Sequence, residues 1–138
     1  MKNITFKERI NLSNYTTIKV GGFAEYFSKP NNTDEFINLI NWAHLNNHKC
    51  RIIGAGSNLL INNIFLKGLT ICTKKMRSIK IESHSGIVEV EAGVMLPTMS
   101  NILAKKGLQG GEWTVGIPGT VGGSICMNAG SKQLSLAN

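Results

Sequence analysis

The sequence predicts an α+β fold built in two successive parts, and three observations lead there. Residues 23–72 run strand, helix, strand, glycine-rich loop, strand. From residue 79 the pattern changes to two alternating segments around Ser83-His84-Ser85-Gly86, the mark of an antiparallel hairpin. Beyond it, eight of the fifteen glycines lie between Gly107 and Gly130, where average usage of about 7% would place about two. The change of pattern between residues 72 and 79 divides the chain into 1–76 and 77–138.

Residues 1–15 contain short apolar pieces without a period, and Tyr15 to Gly22 reads as an extended segment ending in a flexible pair. Phe23–Ser28 alternates weakly and is expected as the first strand, stopped by Pro30. Asn32 reads as a helix N-cap, with Glu35 three residues on as its capping-box partner. Phe36, Ile37, Ile40, Ala43 and Leu45 then fall at helical spacing and predict the buried face. Trp42 reads as a packing residue, and Asn46 and Asn47 tolerate the left-handed conformation that ends helices. Arg51–Ile53 and Leu69–Cys72 are the second and third strands, with Gly68 marking a turn before the latter.

In the second part, Ile79–Glu82 and Ile87–Glu91 form the hairpin, and Ala92-Gly93-Val94 closes its strand. A helix follows with Pro97 in its first turn and Met99, Ile102 and Leu103 on one face. Lys105 and Lys106 favour its C-terminal dipole, and Gly107 is its C-cap.

The chain is arranged around Gly54-Ala55-Gly56-Ser57-Asn58-Leu59, which leaves the Ile52-Ile53 strand. Successive backbone N–H groups in such a loop can converge on an anion. The loop therefore reads as a phosphate or pyrophosphate cradle, or as a glycine-rich turn between core strands. Two familiar phosphate loops are excluded. The dinucleotide fingerprint needs a third glycine where Leu59 stands, and no glycine precedes the Lys-Ser/Thr of a Walker loop. Gly116-Ile117-Pro118-Gly119-Thr120-Val121-Gly122-Gly123 offers a second candidate. Pro118 is placed to open a short helix whose first N–H groups would face an anion; a tight turn packed near a helix is the alternative.

Fifteen Lys and Arg against eight Asp and Glu give a formal charge of +7 and favour an anionic partner. The densest basic run, Lys74-Lys75-Met76-Arg77, lacks interleaved aromatics, which speaks against nucleic acid. Cys50, Cys72 and Cys126 have no C-x-x-C pair and read as small buried side chains or free thiols of a reducing compartment. His44 and His48, four apart without a third ligand, read as surface residues at a helix end, and no metal site is expected. With no signal-peptide core and no apolar run of membrane-spanning length, a cytoplasmic location is expected.

Five stretches in this order carry a resemblance: Thr-Thr-Ile-Lys-Val-Gly-Gly-Phe-Ala at 16–24, Gly-Ala-Gly-Ser-Asn-Leu-Leu at 54–60, Ala-Gly-Val at 92–94, Gly-Ile-Pro-Gly-Thr-Val-Gly-Gly at 116–123 and Asn-Ala-Gly at 128–130. Together they closely resemble the UDP-N-acetylenolpyruvoylglucosamine reductase family, from Leu12 to Gly130. Gly-x-Gly-Ser-Asn alone is shared more loosely with flavin oxidoreductases of the vanillyl-alcohol-oxidase type. After Gly130 the chain departs from the family's usual Ala-Tyr-Gly and reads Ser131-Lys132-Gln133-Leu134.

The resemblance implies an FAD-binding domain of the vanillyl-alcohol-oxidase type, with FAD held between two α+β subdomains. It places Gly54, Ala55, Gly56, Ser57, Asn58 and Leu59 on the pyrophosphate. Pro118, Gly119, Thr120, Gly122 and Gly123 would line the other side, near the flavin and its ribityl chain. In the family NADPH reduces the flavin, and hydride passes on to the enolpyruvyl double bond of a UDP-sugar. A serine then protonates the other carbon while an arginine and a glutamate stabilise the enol. Those groups lie beyond the Asn-Ala-Gly motif, so the resemblance implies an incomplete second subdomain, no substrate domain and no catalytic residue within this sequence. These 138 residues alone are expected to be inactive. The alternatives are a stand-alone FAD- or nucleotide-binding fragment, or part of another flavin oxidoreductase of the same fold.

Overall fold

The computed structural model describes residues 4–62, 64–82, 84–131 and 134–136. The chain divides into two compact units, Met1–Met76 and Arg77–Asn138. Among the described residues, no helix is long and apolar enough to cross a membrane.

The first unit is built on a four-stranded sheet of β1 (Lys7–Asn11), β2 (Phe23–Ser28), β3 (Cys50–Ile53) and β4 (Phe65–Cys72), in the spatial order β1-β2-β4-β3. β1 lies antiparallel to β2, whereas β2 and β3 both run parallel to β4. The strand expected first in the chain is thus second. β1 precedes it as a polar edge strand, recognisable only through its pairing with β2.

Helix α1 (Thr33–Leu45) crosses from β2 to β3. Asn32 caps it, its side chain accepting the Glu35 N–H at 2.9 Å. The reciprocal bond runs one residue further out than a standard capping box: the Glu35 carboxylate accepts the Asn31 backbone N–H at 2.7 Å and the Asn31 amide at 2.9 Å. These bonds, the backbone one foremost, hold the Glu35 carboxyl below the usual glutamate range. Asn47 takes the left-handed conformation after the helix (φ 54°).

The buried face of α1 differs from the expected one. Leu39 and Ala43 pack against Leu69 and Ile71, flanked by Phe36, Trp42 and Tyr26. Ile37, Ile40 and Leu45 are 48%, 36% and 70% exposed. Trp42 packs as expected, and His48 stacks on it with ring centroids 5.1 Å apart rather than standing as a surface residue. Gly68 does not mark a turn before the strand. It lies inside β4 at φ 92°, where the register with β2 shifts, and Glu25 accepts its N–H. On the opposite face of the sheet Leu12, Ala24, Phe27, Ile53 and Cys72 form a second apolar cluster. Cys50 is exposed and Cys72 buried.

Thr70, between Leu69 and Ile71 on β4, is 1% exposed, and its hydroxyl is the buried side-chain polar atom without a hydrogen-bond partner among the described residues. Thr70→Val keeps the shape and removes the uncompensated hydroxyl. It is expected to raise the unfolding free energy by roughly 1 kcal/mol in a urea titration. A loss of stability would mean that the hydroxyl is satisfied.

The second unit opens with β5 (Ile79–Ile81) antiparallel to β6 (Val88–Val90), with Lys80 and Glu89 paired at 3.0 Å across the strands. Helix α2 (Leu96–Lys105) follows, with Pro97 in its first turn and Leu96, Ser100 and Leu103 buried. Its carboxyl end closes as expected: Gly107 has φ 72°, and the Leu108 N–H donates to the Leu103 carbonyl at 3.0 Å. A 3-10 turn (Glu112–Gly116) packs beside α2. Helix α3 (Val121–Cys126) leads to the short pair β7 (Gly130–Ser131) and β8 (Leu134–Ser135).

Candidate functional site

The 54–58 loop leaves the carboxyl end of β3, the side of a parallel sheet where ligands gather. Gly54 and Ala55 are half-buried, Gly56 is buried, Ser57 half-buried and Asn58 exposed. Leu59 and Ile61 pack down onto the Leu12–Phe27 cluster while Leu60 is exposed, and the residues after the loop form an irregular connection and not a strand.

Gly56 has φ 77°. A Cβ there would fall 1.9 Å from the Tyr15 carbonyl oxygen and 2.9 Å from the Thr16 Cα. Its own carbonyl accepts the Thr17 N–H at 3.1 Å and the Thr17 hydroxyl at 3.4 Å. The glycine is therefore required by the protein's own backbone on one side. Among the described residues, the N–H groups of Ala55, Gly56 and Asn58 donate to no protein acceptor. Uncommitted backbone donors on a glycine-rich turn suit an anion.

The second glycine cluster is built differently. Pro118 does not open the helix; it is exposed and stands before the N-cap, which is Thr120. The buried Thr120 hydroxyl accepts the Gly123 N–H at 3.3 Å, and its carbonyl accepts the Ser124 N–H at 2.8 Å. The Val121 N–H donates to Val94 at 2.8 Å and the Gly122 N–H to Ala92 at 3.0 Å. These first-turn donors are all used within the unit, so they do not form an anion site. A Cβ on Gly122 would lie 2.7 Å from that of Ala92. Gly119 is buried, and its carbonyl accepts the Leu96 N–H at 3.0 Å. Two of the quoted stretches, 92–94 and 116–123, are thus bonded to each other.

A cleft of about 620 Å³ opens at the carboxyl ends of β2 and β4, lined in part by Tyr15, Phe27, Lys29, Asn31, Glu35 and Lys75. The Lys29 ammonium sits 4.7 Å from the centre of the Tyr15 ring. The glycine loop does not line it, although Tyr15 touches both. Among the described residues, no group of His, Cys, Asp or Glu could hold a metal ion. The residues that sequence reasoning missed are Tyr15, Thr16 and Thr17, the wall behind Gly56. The two threonines were present in the Thr16–Ala24 stretch, without any indication of what they touch.

Residues 24–137 match the FAD binding domain family. The chain belongs to that family. Over all 138 residues it is 98% identical to the UDP-N-acetylenolpyruvoylglucosamine reductase of Prochlorococcus marinus subsp. pastoris (strain CCMP1986 / NIES-2087 / MED4), covering 47% of that protein. The crystal structure of the UDP-N-acetylenolpyruvylglucosamine reductase from Thermus caldophilus superposes with a TM-score of 0.72 at 30% identity, covering 96% of this chain and 46% of that one. Cholesterol oxidase from B. sterolicum shares the fold at 17% identity, with a TM-score of 0.61 over 92% of this chain and 24% of that one. The fold is the α+β FAD-binding fold of the vanillyl-alcohol-oxidase type. The chain spans less than half the length of the relatives it matches.

Proposed function

We propose that this chain is the FAD-binding part of a cytoplasmic reductase that converts UDP-N-acetylglucosamine enolpyruvate to UDP-N-acetylmuramate in peptidoglycan precursor synthesis, with NADPH as reductant. The observation that carries the reading is the 98% identity along the whole chain to a reductase of that name. Neither nucleic acid nor a membrane is a partner in this reading.

The 54–59 loop fits the pyrophosphate. Ala55, Gly56 and Asn58 present backbone donors, and Ser57 and Asn58 add polar side chains at its rim. Gly54 and Leu59 anchor the two ends. Pro118, Gly119, Thr120, Gly122 and Gly123 would serve the flavin and ribityl chain. Because the Gly122 and Gly123 N–H groups are bonded within the unit, and the space a Gly122 side chain would need is filled by Ala92, their contribution is to hold this turn close against the 92–94 segment rather than to donate hydrogen bonds. FAD, when bound, supplies the hydride chemistry; the residues present here hold and orient it. The proton donor and the groups that stabilise the enol have no counterpart assigned in this sequence.

Asn58→Asp tests the loop directly. Asn58 is exposed, so the substitution leaves the packing intact while replacing an amide with a negative charge beside the pyrophosphate. FAD affinity, followed by quenching of flavin fluorescence, is expected to fall about tenfold at low salt, and by less as salt rises. Unchanged affinity at low salt would remove the loop from the pyrophosphate.

A further inference from the structure

The stretch from Leu12 to Phe23 has no role in the reading above beyond supplying a resemblance, yet it touches the 54–64 connection at both ends. At the start of that connection, the Thr17 N–H donates to the Gly56 carbonyl at 3.1 Å, and the Tyr15 carbonyl fills the space a Gly56 side chain would need. At its end, the Gly22 N–H donates to Asn62 and the Phe23 N–H to Ile64, each at 3.1 Å. A Cβ on Gly22 would fall 1.8 Å from the Ile64 carbonyl oxygen, so the two backbones run in direct contact. The stretch is itself closed internally. Leu12 is fully buried, and its N–H donates to the Gly22 carbonyl at 2.8 Å.

The tip of this stretch is held by Thr16. Its side chain is 2% exposed, and its hydroxyl donates to the Val20 carbonyl at 2.8 Å, with the Ser13 carbonyl at 3.5 Å. The Thr16 carbonyl accepts the Lys19 N–H at 3.3 Å across the same turn, where Lys19 adopts φ 58°. Thr17, next in the chain, is thereby presented to Gly56.

We infer that Leu12–Phe23 is a strap that sets the pyrophosphate loop in its binding conformation before FAD arrives, with Thr16 as the positioning residue. The inference rests on the FAD reading of the loop. The Gly56 peptide carries the turn of the loop, and its orientation is fixed from Tyr15 and Thr17 rather than from the ligand. Thr16 touches no ligand in this scheme; it acts by closing the tip that carries Thr17.

The test uses the full chain, freed of flavin and titrated with FAD. Thr16→Val keeps the shape and removes the donor; it is expected to raise the FAD dissociation constant about fivefold, whereas Thr16→Ser, which restores the hydroxyl, stays within about twofold of the unsubstituted chain. Rescue by serine separates loss of the hydrogen bond from general loosening of the core. A second measurement needs no variant: hydrogen exchange of the Thr17 amide should be slowed in the flavin-free chain. Exchange at the unprotected rate without FAD would overturn the inference, as would Thr16→Val binding FAD as well as the unsubstituted chain does. An unsubstituted chain that binds no FAD would overturn the reading of the loop itself, while the Thr17 exchange rate still reports whether the strap is formed.

Discussion

Gly56→Val is expected to leave a chain that retains no flavin and whose first unit no longer folds stably. The new Cβ would overlap the Tyr15 carbonyl at 1.9 Å, and valine would be forced into φ 77°. The left-handed backbone costs about 1–2 kcal/mol and forced overpacking about 1–3 kcal/mol more, so the loss is roughly 2–5 kcal/mol. Against a typical domain stability of about 5–15 kcal/mol that is decisive or nearly so. Urea unfolding and flavin titration on the same preparation check both halves. The defect arises within the protein, since the side chain would point at Tyr15 and Thr16. A Gly56→Val chain with unchanged unfolding would mean that the 15–17 segment does not lie where it is described.

Leu39→Ala is expected to destabilise the first unit by about 2–4 kcal/mol, while Ile40→Ala costs under about 1 kcal/mol. Leu39 is 3% exposed among Ala43, Leu69 and Ile71, and truncation leaves a cavity between helix and sheet. Ile40 retains 36% of its exposure and loses little contact. Denaturant midpoints of the two variants, measured side by side, decide the rotation of α1 about its axis. Equal or reversed costs would turn the helix by a quarter turn or more.

That rotation is where sequence reasoning was least able to choose. Phe36, Ile37, Leu39, Ile40, Trp42, Ala43 and Leu45 put apolar side chains at nearly every angle around α1. Periodicity predicts that the helix exists; only the sheet beneath it selects the face. Local chemistry was more readable. Asn32 as N-cap, Asn47 after α1, Gly107 after α2 and the 79–91 hairpin all depend on neighbours within a few residues, and the structure has each of them. β1 was not readable, because Lys7–Asn11 is polar and becomes a strand by pairing with residues 23–27. Gly68 was read as a turn because a positive φ serves a turn and a bulge equally well. At the glycine loop, composition and resemblance pointed to Gly54–Leu59, but the partner of Gly56 lies 39 residues away and leaves no local trace. Near Pro118 a plausible helix opener misled. Thr120 caps instead, and the donors beyond it are bonded to the 92–94 segment.

The strap across the 54–64 connection also bears on the order in which the unit is made. A turn closed by its own neighbours can form in microseconds, but the bonds that orient Gly56 join residues far apart in sequence, as does the parallel pairing of β2 with β4. Closing so long a stretch costs entropy that only the assembled sheet recovers. The shape of the loop is therefore acquired late, together with the sheet, and not by local nucleation at the glycines. On a ribosome, the 12–23 segment emerges well before the loop it must clasp. Closed only on itself, it must wait for the 54–64 connection, whose ends are fixed when β3 and β4 join the sheet.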